Sequence, residues 1–341
     1  MYYHKKHKKL NLSLIKGISS KASLVIVNKK GFYTNEDIGD NDSIDVFHYL
    51  PSKYDKVRNF CILLHLFLLY IRLCISKINY DSILFLSTNN ICCNYAIKLG
   101  LFKGKKIVVI HHYDIDRTID SIKETKMFQQ TMNQYEHIVF APFIKKGMID
   151  HLGIDSHRVH IVPHPLFIAD NNQCYNIERS NIIIGIGRNN SLSFMKTLVD
   201  IDQKYPLVNK NKIKMRTNGE TYKGRNVEIF KVNDISQNEF NSILEGSKAC
   251  VVIYERSYRY RYSGVIVDAL SHGCTVICND IPIGRYYADI CPNNCMVIKN
   301  AADLFEIAKS SLKDFDIREF KQYLAANNNS VIIEKLYEVL V

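Results

Sequence analysis

The sequence predicts an α/β protein made of two consecutive units, each with a parallel sheet. Three observations carry this. The chain has 341 residues, more than one core ordinarily serves and a comfortable length for two domains. Short apolar runs rich in Val and Ile alternate with stretches of helical pattern, the mark of parallel strands covered on both faces. The alternation stops in a polar, weakly patterned stretch at residues 166–180 (LFIADNNQCYNIERS) and then begins again. The expected division is an N-terminal domain over residues 1–165, a linker over 166–180, a second domain over 181–325 and a terminal helix over 326–341.

In the first half, residues 23–28 (SLVIVN) and 44–50 read as strands, and residues 60–77 as an apolar helix. Residues 82–87 (SILFLS) form the next strand, 90–99 a helix, and 106–110 (KIVVI) and 136–140 (EHIVF) two further strands. A helix over 147–152 stops at Gly153, and HRVHIVPHPL follows as a strand and turn, since Pro163 and Pro165 end regular structure. In the second half, residues 181–186 (NIIIGI) form a strand that opens onto Gly187, Arg188 and a helix running through Val199. Strands follow at 212–216, 227–232, 249–254 (ACVVIY) and 275–278, and helices at 237–244, 264–271, 301–312 and 331–340. In open parallel sheets ligands bind beyond the carboxyl ends of the strands. Two such sheets predict a ligand cleft between them.

Composition narrows the classes. Hydrophobic residues make up 47% and charged residues 23%, which excludes global disorder. The net charge of +11 implies an anionic partner: nucleic acid, an anionic membrane surface or a phosphate-bearing substrate. Residues 4–9 (HKKHKK) read as an arm for a membrane surface or a phosphate. No apolar stretch with a cleavage site follows this head, so no signal peptide is expected. Residues 60–75 (FCILLHLFLLYIRLCI) are short for a membrane span and carry His65 and Arg72, so a buried or interfacial helix is expected there. Among the ten cysteines, Cys274/Cys278 and Cys291/Cys295 have a spacing that resembles metal pairs. The first pair sits in GCTVICND, a strand and not a knuckle, and all ten read as reduced thiols of a cytosolic protein with no metal site.

The most informative stretch is residues 257–280, SYRYRYSGVIVDALSHGCTVICND. Ser263 stands as an N-cap before a short helix whose exposed backbone N–H groups suit a phosphate. Gly264 lets a ligand come close to the backbone, and Asp268, about one turn along, is within reach of a ribose hydroxyl pair. The alternation YRYRY suits either a sugar diphosphate or stacked single-stranded nucleic acid. Its position directly before Ser263-Gly264 favours the former. The plain structural alternative is a helix capped by Ser and stopped by Gly.

This run resembles the donor-binding signature of retaining GT-B glycosyltransferases of the bacterial group 1, family-4-like kind. Three more stretches are similar to that family in the right order: FIKKGMIDHLGIDSHRVHIVPHPL at 143–166, IIIGIGRNN at 182–190 with Lys196 beyond it, and the strand and helix across 227–244. The resemblance implies two Rossmann-like domains facing across a cleft. It also implies that Gly187, Arg188 and Lys196 meet the donor diphosphate, and that Ser263, Gly264 and Tyr262 line its site. Asp268 takes the place of the ribose-binding acid. The family pattern places another acid eight residues earlier, where this chain has Tyr260; the nearest upstream acid is Glu255. If Asp268 does not hold the ribose, the donor site falls around Glu255 or Asn218-Gly219. A His after the strand at 106–110 is common near the acceptor, and either His111 or His112 matches.

The expected function is transfer of a hexose-type sugar from a nucleotide-sugar to a saccharide or undecaprenyl-linked acceptor in surface polysaccharide synthesis. By resemblance the anomeric configuration is retained. Arg, Lys and a helix N-terminus would meet the diphosphate charge without a metal ion or other cofactor. The protein is expected in the cytoplasm, peripheral on the inner face of the cytoplasmic membrane, with no nucleic-acid partner. The alternatives are a nucleotide-sugar epimerase or phosphorylase of the same fold, a basic nucleic-acid-binding protein, and an inactive scaffold in polysaccharide assembly.

Overall fold

The computed structural model describes residues 8–29, 33–39, 41–46, 55–75, 79–86, 90–112, 114–165, 178–188, 190–232, 235–255 and 257–341. Residues 4–7 of the basic head, 47–50 of the second predicted strand and 166–177 of the predicted linker lie outside them. The chain divides into two compact units, Met1–Pro165 with Asn327–Val341, and Leu166–Ala326.

The first unit opens with α1 (Lys8–Ser19). Leu10, Leu14, Ile15 and Ile18 are all buried, a spacing that puts them on one helical face. Lys8 and Lys9 therefore belong to an amphipathic helix and not to an extended arm. Then come β1 (Val25–Lys29), the short α2 (Asn35–Ile38) and β2 (Asp42–Val46); the two strands pair in parallel as a small sheet of their own. The 21-residue α3 (Asp55–Ile75) leads to β3 (Ser82–Phe85), α4 (Asn90–Lys98) and β4 (Lys106–Ile110). Next are α5 (Asp114–Asp120), α6 (Ile122–Gln129), β5 (Glu136–Val139), α7 (Pro142–Leu152) and β6 (Val159–Ile161). Strands β3 to β6 form one parallel sheet in chain order. Val108, Val109, Ile138 and Val139 are fully buried at its centre, as continuous apolar strands demand. Pro142 opens α7, and Gly153 ends it in the left-handed conformation at φ +72°, where a side chain would be strained.

The second unit contains β7 (Ser180–Gly185), α8 (Leu192–Lys204), β8 (Lys212–Arg216), β9 (Tyr222–Lys223) and β10 (Val227–Phe230). It continues with α9 (Gln237–Glu245), β11 (Ser247–Val252), α10 (Gly264–Ser271), β12 (Thr275–Asn279), α11 (Pro282–Ile290), β13 (Cys295–Ile298), α12 (Ala301–Lys309) and α13 (Ile317–Ala326). The strand order is β13-β12-β11-β7-β8-β10-β9, parallel except for β9 at one edge. Leaving β9 aside, this is the doubly wound Rossmann order, with its reversal between β7 and β11. Ile183, Leu198, Ile213, Val251, Ile277 and Leu304 belong to one buried cluster between sheet and helices. The last helix, α14 (Asn329–Leu340), packs on α1 of the first unit, where Lys21 pairs with Glu334.

Cys250, Cys274, Cys278, Cys291 and Cys295 are free thiols buried in the second unit. Burial pushes Cys274 and Cys278 up to about 12, so both stay protonated as small apolar groups. Among the described residues, no helix is long and apolar enough to cross a membrane. The helix read as buried or interfacial is α3. It buries Leu73 and leaves Phe60, Phe67 and Ile75 exposed.

Candidate functional site

In the second unit the ends of β7, β8 and β11 lie side by side on one edge of the sheet. The loop after β7 is tied to both neighbours. Asn190 is 8% exposed, and its Nδ2 donates to the carbonyls of Gly185 at 2.8 Å, Gly187 at 2.9 Å and, more weakly, Arg216 at 3.3 Å. Ser191 N donates to Ile253 O at 2.8 Å just beyond β11. The Ser191 hydroxyl also caps α8 by accepting from Phe194 N. Three strand ends are thus held in one arrangement by the Asn190 side chain and the Ser191 backbone N–H. Sequence reasoning quoted this segment and gave neither residue a role.

The loop demands a glycine at Gly185. A Cβ there would lie 3.1 Å from Met215, 3.2 Å from Val251 and 3.3 Å from Asn190 Nδ2. At Gly187 a Cβ would meet only ordinary contacts, 3.8 Å from Asn190 Oδ1 and 3.9 Å from Val265. Gly187 therefore matters for its neighbour: it lies against the first turn of α10. Arg188 follows it, exposed. Lys196 is exposed on α8, four residues beyond Leu192 and so on the same helical side. The Asn218-Gly219 turn after β8 reaches the same place, because a Cβ on Gly219 would lie 3.3 Å from Leu192. The structure therefore gathers Gly187, Asn218-Gly219 and the start of α10 on one edge, with Arg188 and Lys196 on the flanking loop and helix.

Helix α10 begins where the sequence predicts. Ser263 is its N-cap, and its Oγ accepts from Ile266 N at 3.3 Å. That hydroxyl also pairs with Tyr254 Oη at 2.8 Å, and Ser263 is only 1% exposed. This corrects one expectation: the Ser263 hydroxyl is committed inside the protein, so a phosphate here meets backbone and not Oγ. Gly264 is open, with nothing within 4 Å of where its Cβ would stand. The N–H groups of Gly264 and Val265 have no acceptor within the helix. Asp268 lies one turn further on, half-buried, on the side of Gly264 and Val265.

The loop between β11 and α10 is a tyrosine framework. Tyr254 and Tyr258 stack at 4.0 Å and 11°. Tyr258 Oη donates to Tyr262 O at 2.6 Å, and the Tyr262 hydroxyl pairs with that of Tyr287. Burial raises the phenols of Tyr254, Tyr262 and Tyr287, so all three stay protonated. Tyr262, expected among the donor contacts, is therefore an internal anchor. Arg259 and Arg261 lie over Tyr260 and Tyr258, at 5.8 and 5.5 Å from the ring centres. With Tyr258 and Tyr262 engaged internally, the YRYRY run does not present a row of bases-stacking rings. Glu255 is exposed at the start of this loop.

The first unit carries the two histidines at the end of β4. His111 is 1% exposed. Its Nδ1 lies 3.0 Å from Asp114 Oδ2, and its Nε2 lies 2.9 Å from His137 Nδ1. His137 Nε2 in turn faces Met132 O at 2.8 Å. The carbonyl at its end orders the hydrogen bonds along this chain. A carbonyl only accepts, so His137 donates from Nε2 and offers Nδ1 as an acceptor. His111 must then donate from Nε2, and a further proton lies between His111 Nδ1 and Asp114. Burial alone would raise the Asp114 carboxyl, but the charge and hydrogen bond of His111 outweigh it and hold it below its ordinary value. Burial and the neighbouring His111 hold His137 neutral. His111 is thus enclosed, with both ring nitrogens occupied. That removes it as the residue beside an acceptor.

His112 is different. It is half-exposed, donates from Nε2 to Leu86 O at 2.7 Å, and lies 5.3 Å from the Phe140 ring. Phe140 in turn meets His164 at 5.0 Å. Residues just beyond β4, β5 and β6 thus form a row on this edge. His164 was quoted in the sequence pattern but given no role; its signal was the HPHP turn.

No protein-family model matches the sequence, and no curated protein matches it. Solved structures do match in fold. A glycosyltransferase from Rickettsia africae is 13% identical, with 98% of this chain and 93% of that chain covered and a TM-score of 0.64. Sucrose-phosphate synthase from Thermosynechococcus elongatus is 12% identical, with 96% and 90% covered and a TM-score of 0.65. Anabaena HepE, in complex with UDP and glucose, is 10% identical, with 98% and 95% covered and a TM-score of 0.65. The two Rossmann-like units of this chain are those of the GT-B fold, the fold of these glycosyltransferases.

Proposed function

We propose that this chain transfers a hexose-type sugar from a nucleotide-sugar to a saccharide or undecaprenyl-linked acceptor, in the synthesis of a surface polysaccharide. The single observation that carries the reading is the edge of the second unit's sheet. There the loop after β7, locked by Asn190 and Ser191, lies against the open first turn of α10. Such a place takes a diphosphate: free N–H groups and the positive end of a helix favour an anion, and fixed dipoles need no rearrangement as charge develops.

In this reading the N–H groups of Gly264 and Val265 hold the donor diphosphate. Arg188 and Lys196 neutralise it as it becomes the leaving group, Arg as a directional fork and Lys as a point charge. No metal ion is required for that charge. Asp268 accepts from the ribose hydroxyls. His112, anchored through Leu86, stands at the acceptor in the first unit and has the donors and titration range to hold a hydroxyl. The anomeric configuration is retained. HepE is bound to UDP and glucose on the same fold, which supports a nucleotide-sugar as donor. The reaction takes place at the inner face of the cytoplasmic membrane. Calorimetric titration with a panel of nucleoside diphosphates tests the donor half, and transfer from the matching nucleotide-sugar tests the whole.

A further inference from the structure

One helix of the first unit is more apolar outside than globular packing needs. On α3, Phe60, Leu64, Phe67, Leu68, Ile71 and Ile75 are exposed by 65, 44, 44, 41, 37 and 75%. Their spacing puts them in a single stripe about 100° wide. The opposite side is the packed one. Leu73 is buried, Asn59 O receives the Cys92 thiol at 3.4 Å, and Tyr70 meets Phe102 edge-on at 5.8 Å. A helix pinned along one side lies flat on its unit. Its stripe is continuous and larger than the scattered apolar residues of an ordinary surface.

The sequence that carries this helix is basic. Between Lys56 and Tyr113 the chain holds eight Lys or Arg and a single acid, Asp81. Arg72 is exposed on α3 itself. Lys103 and Lys105 follow Phe102, the residue whose ring meets Tyr70, so this basic loop lies along the packed flank of α3. Lys105 also sits over the Tyr80 ring at 4.8 Å. This stretch of sequence contributes +7 of the chain's net charge of +11. A basic rim around a Phe- and Leu-rich stripe is complementary to a surface that is anionic outside and apolar beneath.

We infer that α3 lies in the headgroup layer of an anionic membrane, with its Phe60–Ile75 stripe inserted and the lysines of the 98–106 segment against lipid phosphates. The inference deepens the membrane part of the proposed function and does not depend on the donor chemistry. It identifies the first unit as the one that meets the bilayer.

The chain has no tryptophan, so one introduced indole reports alone. Phe67→Trp places it in the stripe, and Val208→Trp places it at a site 77% exposed in the second unit. The full chain is mixed with vesicles of phosphatidylcholine alone or with phosphatidylglycerol added. Phe67→Trp should shift to the blue and be quenched by brominated lipid on the anionic vesicles, and Val208→Trp should do neither. A Phe60→Ser/Phe67→Ser variant should lose vesicle affinity about a hundredfold while keeping its nucleoside diphosphate affinity. Three results would overturn the inference: no sedimentation with anionic vesicles, sedimentation with the Phe67→Trp emission unshifted, or a shift that grows with protein concentration without vesicles. The last would show a second copy of the chain covering the stripe. Failure of the diphosphate titration alone would sink the transferase reading and leave this one standing.

Discussion

Replacing Asn190 by Ala removes the side chain that ties the loop after β7 to the ends of β7 and β8. Its amide has two hydrogens for three carbonyls, with two good contacts at 2.8 and 2.9 Å and a shared one at 3.3 Å. At about 1 kcal/mol for each good bond, plus the cost of leaving buried acceptors unmet, the loss is about 2–4 kcal/mol. For a unit of this size that lowers the melting temperature by about 2–4 °C per kcal/mol. Asn190→Asp should be worse than Asn190→Ala, because it turns an acceptor toward the carbonyls of Gly185 and Gly187. Both variants should weaken diphosphate binding, since the loop carrying Arg188 is no longer fixed. Calorimetric melting and titration of the two variants check this. An Asn190→Asp protein as stable as the wild type would refute the hydrogen-bond assignment and the locked loop with it.

Other perturbations probe separate parts. Asp268→Asn should cost about tenfold in donor affinity, because the ribose loses a charged acceptor, and Asp268→Glu should also lose activity; unchanged titrations of both variants would remove the ribose role. The Asp114 carboxyl is held below its ordinary value, so its contribution to stability is whole above about pH 4 and is lost as pH falls below that. Melting temperature against pH should show this acid limb, and Asp114→Asn should abolish it. Asn at this position can still donate to His111 Nδ1, so Asp114→Asn should be more stable at neutral pH than Asp114→Ala; equal losses would contradict the hydrogen bond between the two side chains. Gly284→Ala should destabilise the second unit by about 1–3 kcal/mol, because its Cβ would lie 2.7 Å from the Asn279 carbonyl; an unshifted melt would show that α11 can move away.

Much of the framework was legible because its signals are local. The strands Lys106–Ile110 and Lys212–Arg216 and the helix Gly264–Ser271 have the boundaries the sequence predicts. The strands stand out as β-branched apolar runs, and the helix is marked by Ser263 before it and Gly273 after it. Helix α6 was not legible: in IKETKMFQ only Phe128 is buried, so no apolar period announces it. Helix α1 was hidden by the lysines at its start. The two-residue β9 exists only as an edge pair with β10. In the site, chain order singles out Arg188 and Gly264, but the contacts of Asn190 and Ser191 depend on strands that meet only in the fold. The same is true of His111 and His112. Adjacent in sequence, they differ in surroundings: one faces His137 in the core and the other faces Leu86 beyond the strand ends.

The most direct test is titration of the full chain and its Arg188→Ala variant with uridine, guanosine, adenosine and cytidine diphosphates, with and without a chelator. One diphosphate should bind the wild type in both conditions, and Arg188→Ala should weaken it by about tenfold or more while the variant still melts cooperatively. Absence of binding to all four, or equal affinity in the folded variant, would contradict a donor diphosphate held at the edge where the β7 loop meets α10.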